Sequence, residues 1–414
     1  MTVFQAQDQI LSNVLVPISM IKNFDQFRGT QKQDCLSGDL VIRNGRARGL
    51  QPNSQTQPGR LVLPKLTECH VHLDKCHTIS RLEAVGGDLG SAIETQEADK
   101  DNWTIEDLHR RGQRGLGELI AAGCRNVRSH LDWAGTDGSV EFPLAWHVLN
   151  EIAQDNRNKV QLQISPLIGV DQYNIPGFAD EVAAELARSG GVMGAFVFDQ
   201  PDRHNAIRAV VKAAEKHNLA LDFHVDEGLA HGLDGLEMIA DAIIEFGFQG
   251  PVLCGHACSL INLEPDALRR LANNLVRAGI TVAALPVTNL YLQGRTDGTP
   301  DRRGVTQIRG LQELGVPVVI GTDNVRDAFC PVGQHNPLES LKQAVLAAHL
   351  DPPFGAHLSK ITTIAEKALG LSPTYIDGAS THDLIVFETS TTADLLSDPI
   401  SPTPLSEPLE GEPA

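Results

Sequence analysis

Strand-forming and helix-forming segments alternate along most of this chain, from Leu61 to about Leu371. Such alternation is typical of parallel strands joined by helical crossovers. Eight segments have the character of strands, and each precedes a helical segment or a long loop: 61–73, 126–132, 160–167, 193–198, 220–227, 251–258, 281–288 and 317–324. Because eight βα units within roughly 310 residues fit a closed barrel better than an open sheet, we predict an α/β fold of the (β/α)₈ TIM-barrel type.

The two chain ends have a different pattern. Residues 34–52 alternate apolar and polar side chains around Asn44-Gly45, a dipeptide favoured in tight hairpin turns, and "HDLIVFE" (382–388) has the character of a strand. We predict a small flanking β-sandwich domain built from 1–62 and 372–400, with the barrel at 63–371. The last residues, 401–414, are rich in Pro, Ser and Glu and are predicted to form a disordered tail.

Charge and composition exclude several classes of protein. The formal net charge of −18 would repel a phosphate backbone, so no nucleic acid partner is expected. No apolar run is long enough to cross a bilayer, and the first basic residue is Lys22, so neither a membrane span nor a secretory signal is predicted. The seven scattered cysteines are expected to be reduced, and the expected compartment is the cytoplasm.

Ionisable residues cluster where the predicted strands end, which is where TIM barrels assemble their active sites. His70 and His72 end the first strand, and the two-residue period of a strand puts both on the lumenal face. His224 and Glu227 end the fifth strand, and His256 ends the sixth. Asp323 and Asn324 end the eighth strand. Three imidazoles and a carboxylate suit zinc or iron with one position open for water, and the lowered pKa of that water favours hydrolysis.

Each signal alone has a simpler explanation. An H-x-H pair can be two polar residues at a strand edge, His256 can be a satisfied core histidine, and Asp323 can cap a helix. His130 ends the second predicted strand and can either line the site or play a structural role. Cys69 is expected to point away from the two neighbouring histidines, toward the helical layer. The joint occurrence of the four features on strand ends of one barrel favours the metal site.

Six stretches resemble the amidohydrolase superfamily, and within it the bacterial cytosine deaminase and N-isopropylammelide amidohydrolase group: "ECHVHLDK", "VRSHLD", "FHVDE", "GHAC", "NLYLQGRTDG" and "GTDNVRD". The resemblance covers nearly the whole chain. It implies a TIM barrel with one divalent metal ion, zinc or iron, a small-molecule heterocyclic substrate, and the homo-oligomeric assembly often found in the family. The implied metal ligands are His70, His72, His224 and Asp323.

The same resemblance implies hydrolytic deamination. Glu227 would protonate a ring nitrogen of a cyclic amidine while metal-bound hydroxide attacks the amino-bearing carbon. His256 would polarise the hydroxide or the tetrahedral centre, and Asp323 would accept the hydroxide proton. Collapse would release ammonia or an amine. Gln293, in the loop after the seventh strand, would face the substrate or pack structurally.

Two departures from the cytosine enzymes concern the substrate. Leu167 occupies the position of a glutamine that reads the pyrimidine edge, and Asn324 replaces a second aspartate. An unpaired ring edge costs about 1–3 kcal/mol, so cytosine itself is not expected. We predict an aminohydrolase acting on a neutral nitrogen heterocycle or cyclic amidine, with Leu167, Gln293 and Asn324 at the substrate. The alternatives are a cyclic amide hydrolase and a catalytically silent ligand-binding barrel.

Overall fold

The computed structural model describes residues 8–53, 59–133 and 140–406. The strands are β1 Gln9–Pro17, β2 Thr30–Lys32, β3 Cys35–Arg43, β4 Arg46–Gln51, β5 Arg60–Pro64, β6 Leu66–Val71, β7 Cys124–Asp132, β8 Gln161–Leu167, β9 Met193–Val197, β10 Leu221–Val225, β11 Val252–His256, β12 Ile280–Ala284, β13 Val318–Ile320, β14 Leu384–Phe387 and β15 Thr403–Pro404. The helices are α1 Leu89–Asp99, α2 Ile105–Ala121, α3 Leu144–Asn156, α4 Phe178–Ser189, α5 Arg203–His217, α6 Gly235–Phe246, α7 Pro265–Arg277, α8 Pro286–Leu292, α9 Ile308–Glu313, α10 Pro337–Ala347, α11 Thr363–Ala368 and α12 Thr392–Ser397.

Strands β6 to β13 form the predicted eight-stranded parallel barrel. They lie in two arcs, β6-β7-β8 and β9 to β13, each hydrogen-bonded in chain order. Parallel bridges join the arcs on both sides, Val71 with Asp323 and Gly169 with Phe196. At the first junction the Asp323 amide donates to the His70 carbonyl over 2.7 Å. The carboxyl ends of all eight strands therefore meet at one face, as the sequence predicted.

The first predicted strand, 61–73, is two strands with different partners. β5 pairs with β1 and β14 in the flanking sheet, whereas β6 enters the barrel beside β7. The change of partner follows Pro64, which has no amide hydrogen to continue a ladder. The flanking sheet thus extends two residues beyond the predicted domain boundary at 62.

Both chain ends contribute to the flanking domain, as predicted. Its seven strands form one hydrogen-bonded sheet in the order β15-β14-β5-β1-β3-β2, with β4 also paired to β3. The β3–β4 hairpin turns at Asn44 and Gly45, whose φ angles of 53° and 67° are those that a tight hairpin turn requires. β15 pairs with β14 inside the segment predicted as a tail, and 407–414 of that tail lie outside the described residues. Pro404 is tolerated there because β15 is an edge strand.

A bulge in β6 changes which side chains face the barrel lumen. Glu68 pairs with Val127 and Val71 with Ser129, so β6 advances three residues while β7 advances two. The extra residue places Cys69 on the lumenal side, where it packs with Leu253, Ala283 and Val319. The expectation that Cys69 faces the helical layer is therefore wrong, because strict alternation does not continue through a bulge.

The cysteines and helices agree with the compositional expectations. All seven cysteines are buried and free of disulfide bonds. Within 8–53, 59–133 and 140–406, no helix is both long enough and apolar enough to cross a membrane.

Candidate metal centre and active-site cavity

Four predicted ligands meet at the carboxyl ends of β6, β10 and β13. Asp323 Oδ1 lies 3.2 Å from His72 Nε2 and 3.6 Å from His70 Nε2. His224 Nε2 lies 3.3 Å from His72 Nε2. The sequence-predicted set is brought together from strand ends that are far apart in the chain. All four side chains are buried.

The donor atoms of this cluster fit one divalent ion. Ligands at about 2.0–2.1 Å from a tetrahedral ion lie roughly 3.3–3.5 Å from each other, which matches the separations above. Nε2 of His70 and both oxygens of Asp323 are buried without a hydrogen-bond partner among the described residues, and the Nε2 atoms of His72 and His224 lie against each other. Burial lowers the pKa of all three imidazoles well below its usual value, so their lone pairs are free to bind a metal. Orphaned buried donors of this kind are costly unless a ligand satisfies them.

Glu68 supports the cluster from below and was not singled out from the sequence. Its Oε1 accepts hydrogen bonds from the backbone amides of His70 at 3.0 Å and Thr322 at 3.1 Å, and its Oε2 bonds the Thr322 hydroxyl. Glu68 therefore ties β6 to the loop that carries Asp323. Burial raises the pKa of Glu68 to about 7. A carboxylate two positions before the first ligand, inside an otherwise apolar strand, is the signal that would have indicated it.

His130 lies within the same histidine cluster. Its ring centroid is 4.1 Å from that of His70 and 4.6 Å from that of His224. On its other side, His130 Nε2 lies 2.9 Å from Asp222 Oδ1, and Asp222 Oδ2 accepts from Arg128 over 2.8 Å. His130 thus forms one side of the histidine cluster. The buried ion pair between Arg128 and Asp222 holds its ring in position.

Glu227 and His256 lie beside the four candidate ligands. His256 Nδ1 is 3.5 Å from Glu227 Oε1 and 3.3 Å from the side-chain nitrogen of Asn289. Burial, with the nearby Asp323 carboxylate, raises the pKa of Glu227 well above its usual value, whereas burial lowers the pKa of His256 to about 4. The raised pKa of Glu227 favours its protonated form, and the pKa of about 4 leaves the His256 imidazole neutral at neutral pH. His256 has the left-handed φ of 70°, a costly conformation that recurs at active sites.

A cavity of about 210 Å³ opens onto this cluster. One wall is apolar, and Leu167, Trp133, Phe196 and Phe329 contribute to it. Asn324 also lines the cavity, and its amide donates to Asp327 over 2.7 Å. The predicted substrate residues Leu167 and Asn324 thus both lie at the cavity.

The cavity also has charged lining residues that were not among the predicted site residues. Lys75, Lys100 and Asp132 line it, with Lys75 Nζ 2.6 Å from Asp132 Oδ1. Lys75 also lies 4.8 Å from the centre of the Phe329 ring. The Lys75 side chain is almost completely buried, so its charge depends on this pair. The position of Lys75 at the end of "ECHVHLDK", three residues after the candidate ligand His72, was the sequence signal that could have indicated a place in the site.

Of the two roles expected of Gln293, its contacts in the described structure are those of the structural one. It is absent from the described residues that line the cavity, and its Nε2 donates to the Glu227 carbonyl over 3.2 Å. Gln293 therefore supports the backbone of Glu227 through this hydrogen bond. The predicted substrate contact is replaced by this support, because the loop after α8 turns its side chain toward β10 rather than into the cavity.

Comparison with known proteins gives matches over nearly the whole chain. Residues 177–376 match the model of the amidohydrolase family. The pterin deaminase of Rhizobium rhizogenes is 30% identical over an alignment of 406 positions. The alignment covers 95% of this chain and 91% of that protein. The N-isopropylammelide isopropyl amidohydrolase of Pseudomonas sp. is 21% identical over 84% of this chain and 85% of its own length.

A solved structure shares the fold. The 5-methylcytosine deaminase of Klebsiella pneumoniae liganded with 5-fluorocytosine superimposes with a TM-score of 0.80 at 22% identity, covering 98% of this chain and 99% of its own. The barrel, the flanking sheet and the full-length relative at 30% identity lead to one conclusion. This chain belongs to the amidohydrolase family.

Proposed function

We propose that the chain is a metal-dependent hydrolase that deaminates an amino-substituted nitrogen heterocycle. The observation that carries the proposal is the pairing of the four candidate metal ligands with Glu227, a buried carboxyl of raised pKa whose Oε1 lies 3.5 Å from His256 Nδ1. In the reaction, water adds to the amino-bearing ring carbon, the carbon–nitrogen bond breaks, and ammonia or an amine leaves. The ring then carries a carbonyl.

His70, His72, His224 and Asp323 are the residues that would hold the ion. Imidazole and carboxylate donors suit zinc and iron, and both are kept here as candidates. When bound, such an ion supplies Lewis-acid activation of water, whose pKa falls from about 15.7 toward about 7. Asp323 has two unpartnered oxygens among the described residues, so one can bind the ion while the other accepts a proton.

Glu227 would deliver its proton to a ring nitrogen, and the proton that Asp323 accepts from water would pass to the leaving nitrogen, either directly or through the Glu227 carboxylate. Burial raises the pKa of this carboxyl well above its usual value, which favours the protonated form that a general acid requires. A ring nitrogen made cationic by that proton draws electrons from the adjacent carbon and promotes attack by water. Gln293 would fix the direction of Glu227 through its backbone contact.

His256 would stabilise the negative charge that develops on oxygen. Asn289 Nδ2 lies 3.3 Å from His256 Nδ1, and a hydrogen bond donated there would leave the proton of the neutral ring on Nε2. His256 Nε2 is buried and has no hydrogen-bond partner within the described part of the chain. An unpartnered donor held in place before the reaction is the arrangement that lowers a barrier through electrostatics.

A bicyclic aminopteridine is the first substrate class to test. The 30% identical relative is named pterin deaminase, whereas the likeness to the 5-methylcytosine deaminase is one of fold. The apolar wall formed by Leu167 and aromatic rings supports a planar ring rather than the amide contact that cytosine would need.

A substrate panel tests the proposal. Protein loaded with zinc, iron or manganese is assayed for ammonia release from aminopteridines, aminopyrimidines, aminopurines and amino-substituted triazines, with Asp323→Asn protein as the matched control. We expect release from at least one ring class by the wild type and none by the variant. Hydrolysis of cyclic amides without ammonia release would favour the alternative amide hydrolase. Metal-loaded protein that turns over no member of either panel would contradict the enzyme proposal.

A further inference from the structure

A second histidine–carboxylate cluster lies outside the active-site cavity. His77 follows β6, Glu118 lies on α2, and His335 precedes α10. His335 Nδ1 is 2.9 Å from Glu118 Oε2, and His77 Nε2 is 3.5 Å from Glu118 Oε1. One ligand atom from each residue lies within 4.8 Å of the other two. None of the three side chains lines the active-site cavity in the described structure.

The histidines of this cluster are buried with unused nitrogens. The side chains of His77 and His335 are 3% and 0% exposed. Both ring nitrogens of His77 and Nε2 of His335 have no hydrogen-bond partner among the residues that the structure describes. A buried ring that satisfies neither nitrogen is costly, so the contact with Glu118 alone does not account for His77.

The protonation states suit a cation. Burial lowers the pKa of His77 to about 4 and that of His335 below its usual value, so both rings are neutral at physiological pH. Burial raises the pKa of Glu118, but the hydrogen bond with His335 and the nearby His335, His77 and Arg114 side chains together lower it to about 2, so the carboxylate is ionised. Two neutral imidazoles and one carboxylate are a recurrent zinc-binding set, with water completing the coordination.

The surroundings allow an ion to enter. The Glu118 side chain is 29% exposed and provides a route from solvent. Arg114 pairs with Glu118 over 3.2 Å, but its own side chain is half exposed and can turn into solvent when a cation binds. The other nearby guanidinium, Arg326, donates to the Gly333 carbonyl rather than to the carboxylate.

Gly115 shapes the space for His335. A Cβ at this position would lie 3.1 Å from His335 Cε1 and 2.8 Å from a Leu73 methyl group. The absence of a side chain on this face of α2 lets the His335 ring approach the helix one turn before Glu118.

We infer that His77, Glu118 and His335 form a second metal site for a zinc-like divalent ion. The ion would join α2 to the loops after β6 and β13. His72 follows β6 directly, and Asp323 lies three residues after the end of β13. The second ion would therefore stabilise the segments that carry two of the four candidate ligands of the central cluster. The central cluster remains complete without it.

Metal counting in single variants tests the inference. Protein is saturated with zinc, freed of unbound ion by gel filtration, and analysed by mass spectrometry for zinc per chain. We expect about two ions in the wild type and about one in His335→Gln and in Glu118→Gln. His224→Asn, which damages the central cluster, should also keep about one ion, and His147→Gln on the exposed face of α3 should keep both.

Thermal unfolding gives a readout independent of turnover. Added zinc should raise the melting temperature of His224→Asn protein, because zinc binds the remaining site only in the folded chain. It should not raise the melting temperature of the His224→Asn, His335→Gln double variant, which has neither site intact. About one zinc in the wild type, or an unchanged count in folded His335→Gln and Glu118→Gln proteins, would overturn the inference. Glu118→Gln lies at a partly exposed position, so it keeps the test valid where His335→Gln fails to fold.

Discussion

At the scale of single residues, the environment of Glu227 decides what this side chain can do. The carboxyl is buried beside His256, and burial with the Asp323 charge raises its pKa. A carboxyl kept protonated at neutral pH can give a proton to a substrate nitrogen, which an exposed glutamate cannot do. Its buried surroundings therefore give Glu227 a raised pKa that glutamates on the surface do not share.

Replacing Glu227 by Gln should remove that proton and little else. The amide has the same shape but is no acid, so we expect kcat on the best substrate to fall by at least about 100-fold. Metal content should stay at the wild-type value, because Glu227 is not among the proposed ligands. Steady-state kinetics with metal analysis measures both, and Glu264→Gln at an exposed position is the matched control. Turnover at the wild-type rate would show that the proton comes from another group.

The candidate ligands and the Glu227–His256 pair could be predicted because their spacing follows from strand ends. The side chain of Gln293 could not, since a residue in a loop after α8 has no periodicity that fixes its direction. Its contact with the Glu227 carbonyl depends on how that loop crosses the barrel mouth. The same limit applies to Lys75, whose partner Asp132 lies on the next strand.

At the scale of elements, α2 combines strong sequence signals with one position that depends on packing. Thr104 caps its first turn by accepting from the Asp107 amide over 3.2 Å, and the apolar stripe that predicted the helix faces the barrel. Gly115 and Gly117 lie in the same stretch, "RGLGEL", and sequence alone does not distinguish them. Gly115 faces Leu73 and His335, whereas a Cβ on Gly117 would meet nothing within 4 Å.

Alanine substitutions at the two glycines should have opposite effects. Gly117→Ala removes backbone freedom from the unfolded chain and should raise the free energy of unfolding by about 0.5–1 kcal/mol. Gly115→Ala gains the same propensity but forces a methyl group into Leu73 and His335, so we expect a net loss of about 1–2 kcal/mol. Denaturant unfolding of the two variants measures both changes. A stabilised Gly115→Ala protein would mean that α2 can shift outward at no cost.

The bulge in β6 shows what element-scale patterns omit. The two-residue period placed His70 and His72 on one face correctly, yet Cys69 shares the lumen with them. Bulges insert one residue without a distinctive composition, so only the pairing with β7 reveals this one. The pattern therefore predicted the shared face of His70 and His72 but not the packing beneath them.

At the scale of the whole molecule, two chain ends and the barrel pack into one structure. The alternation of strands and helices predicted the barrel, and the hairpin at Asn44-Gly45 predicted part of the flanking sheet. The junction between them had no signal in the sequence. Thr362 bonds the Met20 sulfur and the Ile376 amide bonds the Met20 carbonyl, contacts that join segments far apart in the chain.

Lys360 lies at that junction and is buried with no carboxylate partner among the described residues. Its Nζ contacts His357 Nδ1 at 3.3 Å, and its side chain is almost fully removed from water. Burial lowers the pKa of Lys360 from 10.5 to about 8. Below pH 8 both folded and unfolded chains carry the proton, so the full cost of burying the charge opposes folding. Between pH 8 and 10.5 the folded chain releases the proton first, and stability rises with pH.

Replacing Lys360 by Met should therefore stabilise the protein, by up to about 3 kcal/mol at pH 7, since each tenfold loss of proton affinity on folding corresponds to about 1.4 kcal/mol. The gain should shrink as the pH rises from 8 to 10.5, because the wild type then loses its buried charge. Urea unfolding at about pH 7 and about pH 10 measures both values, with Lys367→Met at an exposed position of α11 as control. A gain that is equal at the two pH values would show that folding does not shift the pKa of Lys360 and that the added stability comes from the packing of methionine.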